Sequence, residues 1–112
     1  MNIPDVIRIG SVDYDVIYKE ELYDNGQQLM GCINFMENEI LLDDKCQKRQ
    51  SLELTLLHEI IHGMLYSVQS EHTYNETLIE EVAKSLHQVI RDNPTLFMPK
   101  IETAKVEGEG EK

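Results

Sequence analysis

His58, Glu59 and His62 are the residues of this 112-residue chain whose types and spacing could do chemistry. They form His-Glu-x-x-His within Leu56-Leu57-His58-Glu59-Ile60-Ile61-His62-Gly63, inside a run that reads as helix over about 51–68. Two histidines four apart on a helix lie about 40° apart around the axis and one turn apart along it. Both imidazoles can therefore address one metal ion. The glutamate between them flanks the same site, where it can take a proton from a metal-bound water. Chance gives such a pattern in roughly two per cent of chains of this composition. A lone histidine in an apolar helix is ordinarily a core residue bonded to a backbone carbonyl, but two at ligand spacing around a glutamate point to a metal site.

The rest of the helix agrees. Counting from His58 at about 100° per residue, Thr55, His62, Tyr66 and Glu59 all fall within roughly the first 100°. Leu57, Ile61, Met64 and Val68 cluster at roughly 240° to roughly 300°, with Leu54 and Leu65 beside them. Leu56 and Ile60 cover much of the remaining side. A helix apolar nearly all round is a buried one, and its single narrow polar stripe holds the motif.

The helix needs a scaffold, and length allows one domain, over residues 1–98, with a modest core. Residues 6–9 and 14–18 are β-rich around the turn signal Gly10-Ser11 and read as a hairpin. Residues 20–28 are polar, with Asp24-Asn25-Gly26 marking a turn. Residues 29–36 and 39–42 are apolar-leaning around Glu37-Asn38 and read as a second hairpin ending at Asp43-Asp44. Ser51 or Asp44 is placed to cap the motif helix. After a short polar connection containing His72, a second helix runs over about 75–91, its 3.6 period carried by Ile79, Val82, Ala83, Leu86, Val89 and Ile90. Asn93-Pro94 ends it. The tail, residues 99–112, is acidic and Gly- and Lys-bearing with little to bury, and reads as disordered. Four strands followed by two helices give an α+β class, an antiparallel sheet beside a helix pair.

A formal charge of −11 and a pI near 4.6 exclude nucleic acid and anionic membrane as expected partners. No apolar run approaches the ~18 residues of a membrane span. The N-terminus lacks the basic and apolar regions of a signal peptide, and Cys32 and Cys46 form no CxxC. Two reduced, structural thiols and a cytoplasmic location are expected. The sequence sets no oligomeric state.

A hydrolytic zinc site takes three protein ligands and leaves a fourth position for water. The second helix offers Glu76, Glu80 and Glu81. Its core face centres on Ile79, and Glu81, roughly 200° around the axis from it, points away. Glu80 at roughly 100° from Ile79 and Glu76 at roughly 60° both border the face that must pack on the motif helix. Glu80, with clearance at Ala83 one turn on, is the first choice and Glu76 the second. His72 and His87 are rival ligands. Two His and one Glu suit Zn²⁺, although the same set can hold Fe²⁺ or Mn²⁺.

With a glutamate on the following helix, His58-Glu59-Ile60-Ile61-His62 resembles the gluzincin branch of the zincin metallopeptidases. More narrowly, the layout resembles small HExxH metallopeptidase-like proteins of bacteriophages and prophages, akin to the ImmA/IrrE group. Thr55 to Gly63 and Leu78-Ile79-Glu80-Glu81-Val82-Ala83 carry that resemblance, which spans roughly residues 3–97. No His-x-x-Gly-x-x-His extension follows, which excludes the metzincin branch. The resemblance implies a zincin-like fold, one Zn²⁺ per chain held by His58, His62 and Glu80, and Glu59 as general base in peptide-bond hydrolysis. It also implies a peptide or protein substrate laid along an edge strand within residues 29–42, in the host cytoplasm if the chain is phage-encoded. Tyr66, His72, Tyr74 and His87 are candidate donors to an oxyanion. Two competing readings are a metal-stabilised regulatory or interaction protein that cleaves nothing and a metal-free helical-hairpin module. The intact Glu59 argues against a purely structural site, which closes with four protein ligands and needs no base.

Overall fold

The computed structural model describes residues 1–99. It contains six strands: β1 (Val6–Ile9), β2 (Val12–Tyr18), β3 (Tyr23–Asp24), β4 (Gln27–Gln28), β5 (Gly31–Asn34) and β6 (Glu39–Leu42). Helices α1 (Arg49–Ser67) and α2 (Glu76–Asp92) follow. The four longer strands form one sheet in the order β1-β2-β6-β5, and β3 pairs with β4 in a separate small hairpin. The chain is α+β, as the order of its elements predicts. From residue 100 on, the tail read as disordered lies outside the described residues.

The sheet is mixed rather than antiparallel. β1–β2 and β5–β6 are the expected antiparallel pairs, but β6 runs parallel to β2, with Val16 opposite Ile40 and Tyr18 opposite Leu42. Ile40 and Leu42 are fully buried, so β6 takes the centre of the sheet and needs a neighbour on each side. The residues between Tyr18 and Glu39 are long enough to return the chain for a parallel pair, and they fold as the β3–β4 hairpin and β5. The edge opposite β1 is therefore β5.

Helix α1 lies between the sheet and α2. Against the sheet it buries Leu52 and Leu56 with Ile9, Tyr14, Val16, Ile40 and Leu42. Its other side buries Leu57 and Ile61 with Ile79 and Ala83. Among the described elements α2 packs on α1 and on no strand. The all-round burial expected of α1 holds on those two faces only, since Met64 and Val68 are exposed. Gly31 makes the close approach of β5 to α1 possible: a Cβ there would sit 2.6 Å from Thr55 Cγ2 and 3.0 Å from the Leu41 carbonyl oxygen.

Neither Ser51 nor Asp44 caps α1. The cap position is Lys48, with no side-chain bond, and Ser51 lies inside the helix. The turn from β6 into α1 is instead held one step earlier by buried Asp43, whose Oδ1 accepts from the Lys45 and Cys46 N–H groups at 2.9 and 3.2 Å. At the start of α2, Asn75 does cap, its Oδ1 accepting from Leu78 N–H at 3.1 Å.

Candidate metal centre

Helical geometry explains where the site falls. Measured around α1 from His58, the sheet face (Leu52, Leu56) centres at roughly 140° and the α2 face (Leu57, Ile61) at roughly 280°. His58 and His62, only about 40° apart, occupy the gap between those faces and open toward the groove between β5 and α2. Glu59, about 100° from His58, borders the sheet face. It is only 7% exposed, and the backbone N–H of Ile33 on β5 acts to lower its carboxyl pKa. The register fits: Asp43 N–H bonds the Met30 carbonyl at 2.9 Å, so the N–H and C=O groups of Gly31 and Ile33 face away from β6.

The first turn of α2 brings the carboxylates across. Glu76 Oε1 lies 2.9 Å from His58 Nε2 and 3.3 Å from His62 Nε2. These three side chains form the one cluster with metal-ligand spacing among the described residues, their ligand atoms all within 4.8 Å of one another. Glu80, the first choice from sequence, meets the other side of His58, with Oε1 2.9 Å from Nδ1. His62 Nδ1 donates to the Thr73 carbonyl at 2.7 Å. Each imidazole thus has Nδ1 held from behind and Nε2 turned toward Glu76. Metal-bound histidines have this arrangement, because an acceptor on the far nitrogen fixes the tautomer and the ring angle.

Proton counting points the same way. A carbonyl and a carboxylate can only accept, so Thr73 and Glu80 require hydrogen on the Nδ1 atoms. A neutral imidazole then presents a bare lone pair at Nε2, and two such lone pairs converge on an acceptor-only carboxylate. An electropositive centre satisfies all three. The donor set of two imidazoles and one carboxylate fits zinc with an open position.

The electrostatics separate the carboxylates. Burial raises the Glu59 carboxyl above its ordinary range; His58 and His62 pull it down, neighbouring Glu76 pushes it up and the Ile33 N–H lowers it again, leaving it raised. A raised carboxyl suits a group that must take up and release a proton near neutrality. Glu80 is shifted the other way. Partial burial raises it, but the His58 hydrogen bond and Lys84, 3.4 Å away, bring it below the usual value.

The remaining candidates disperse. Tyr66 stacks on Phe35 at 3.8 Å, His87 bonds Glu53 at 3.1 Å, and His72 lies near Glu71 at the surface. Glu81 lines the outer rim with Glu76 and Glu80. Tyr74 alone of the four possible donors lines the cleft beside Glu59, His62 and Glu76, its ring 6.5 Å from that of His62. Sequence reasoning missed the Thr73 carbonyl, which carries no side-chain signal. The position of Glu76 on the helical wheel, nearer the packed face than Glu80, was the available clue to its place. No family model, curated protein or solved structure matches this chain.

Proposed function

We propose that the chain is a zinc-dependent metallopeptidase in which His58, His62 and Glu76 hold the metal. One observation carries the reading: both Nε2 atoms turn toward one carboxylate while Glu80 and Thr73 hold the opposite nitrogens. Glu80, the ligand expected from sequence, becomes the residue that orients His58. Zinc at this place supplies Lewis acidity, lowering the pKa of water at an open position and polarising a carbonyl.

The chain's own residues supply the rest. Glu59, raised by burial, accepts a proton from the attacking water and delivers it to the leaving amine. Tyr74 is placed on the cleft wall to donate its phenol hydrogen to an oxyanion. Edge strand β5 offers the outward carbonyls of Gly31 and Ile33 and the N–H of Gly31 to an extended peptide. A preference for hydrolysis over a purely structural metal site comes from Glu59, a buried carboxylate beside the cluster but outside its three ligands.

Zinc-loaded protein should cleave members of an unbiased peptide library. Glu59→Gln should retain zinc while losing at least about a hundredfold in kcat, the usual contribution of a positioned general base. Cleavage that persists in Glu59→Gln would overturn the assignment.

A further inference from the structure

The groove has two lobes that meet at His58 and Glu59. The smaller, about 260 Å³, is bounded by Met30, Leu54 and Thr55. The larger, about 670 Å³, extends past His62 and Tyr74 to Asp24 and Gln27. Those last two residues come from β3 and β4. Between them Asn25 and Gly26 both have positive φ, 53° and 79°, the two-residue turn whose twist matches a hairpin. It brings Asp24 and Gln27 to the wall of the larger lobe.

Among the described residues, neither lobe, nor the outer rim at Thr77 and Glu81, is lined by a lysine or arginine. Within the site the acidic side chains are largely matched: Glu76 and Glu59 would face a divalent metal, and Glu80 is paired with Lys84. Among the described residues, Asp24 and Glu81 at the two ends have no ion-pair partner. At Cys32, on the wall of the larger lobe, burial and then the carboxylates of Glu59, Asp24 and Glu39 push the thiol up against a single opposing cation, Lys19.

From the Asp24 carboxylate at the end of the larger lobe and the base-free walls, we infer that Asp24, with Gln27 beside it, selects peptides carrying lysine or arginine on the His62–Tyr74 side of the scissile bond. The inference deepens the peptidase reading and rests on its placement of the peptide in this groove. A lysine or arginine can lay its aliphatic stem along Leu29 and the Tyr74 ring and end at the Asp24 carboxylate. Gln27 offers a neutral acceptor for a second N–H.

The test compares paired peptides that differ by Lys or Gln at one position, scanned along the sequence around the cleaved bond. Wild type should favour the Lys member on one side of the bond, and the preference should fall as salt is raised. In Asp24→Asn the Lys/Gln ratio of kcat/KM should drop about fivefold, as for one solvent-exposed charge pair. Asp24→Lys should invert the preference toward Glu. Equal cleavage of the pairs by wild type, or a ratio untouched in Asp24→Lys, would overturn the inference while leaving the peptidase reading intact. Binding of the same peptides to zinc-loaded Glu59→Gln, read by fluorescence anisotropy, separates the two claims. Tighter binding of the Lys peptide, weakened by Asp24→Asn, supports the inference even if wild type cleaves nothing, and that second result would sink the peptidase reading alone. Equal binding of both peptides sinks the inference.

Discussion

The two sides of α1 are built differently. Toward the sheet it buries Leu52 and Leu56 among side chains from three strands, a largely apolar contact with Glu59 at its border. Toward α2 the buried apolar set is Leu57, Ile61, Ile79 and Ala83, with Leu54, Leu65, Leu86 and Ile90 packed around it, and polar pairs run along one side of the contact. Glu53 meets His87, His58 meets Glu80 and His62 meets Glu76, a ladder that climbs both helices in antiparallel order. The sheet side therefore supplies the stable platform. The α2 side draws part of its cohesion from groups that a metal would join, so its order should depend on metal while that of the platform should not.

The largest effect should be that of zinc itself. At a thousandfold excess over its Kd, zinc should stabilise the fold by about 4 kcal/mol. In hydrogen exchange the gain in protection should concentrate in α2 and the His58–His62 turn, with β2 and β6 changing only as global stability does. Equal local gains across the sheet would erase the distinction between the two sides.

Leu56→Ala comes next, since Leu56 is essentially inaccessible. It should cost about 3 kcal/mol in denaturant unfolding of metal-free protein, with all elements lost together. Ile79→Ala, also fully buried, should instead release α2 first.

Smaller still is the effect of Glu80→Gln. A group that orients a ligand is worth about ten- to a hundredfold in metal affinity, and the variant should lose that much while still binding one zinc.

The smallest effect tests the far end of the ladder. Burial raises Glu53, but His87, the N-terminal amino group and Arg49 together hold it below the usual carboxylate range. Its folded pKa lies below its unfolded one, so its contribution is present above about pH 4.3 and is lost as pH falls through the folded value. Glu53→Gln should cost about 1 kcal/mol at pH 7, and the gap to wild type should close in acid.

How much of this was legible beforehand follows from what each feature depends on. The motif, both long helices and the β1–β2 and β5–β6 pairs rest on local pattern, and each was readable from it. The parallel pairing of β6 with β2 was not, because it depends on which strand takes the centre of the sheet, a competition among distant segments. The proposal of Glu76 rather than Glu80 as the third ligand turns on helix register. The loop between the helices sets it, where Gln69 at φ 57° and the Ser70–Thr73 turn draw the Thr73 carbonyl onto His62. Asp24 read only as a turn residue and Gln27 only as part of a polar segment, since nothing local says that the hairpin reaches the groove.

The arrangement around His58 and His62 is tested most directly by titrating zinc into metal-free wild type, Glu76→Ala and Glu80→Gln against a chromophoric chelator. One tight equivalent in wild type, a weakened but stoichiometric equivalent in Glu80→Gln and no comparable binding in Glu76→Ala are expected. Stoichiometric binding that survives in Glu76→Ala and vanishes in Glu80→Gln would contradict the account and restore Glu80 as the third ligand.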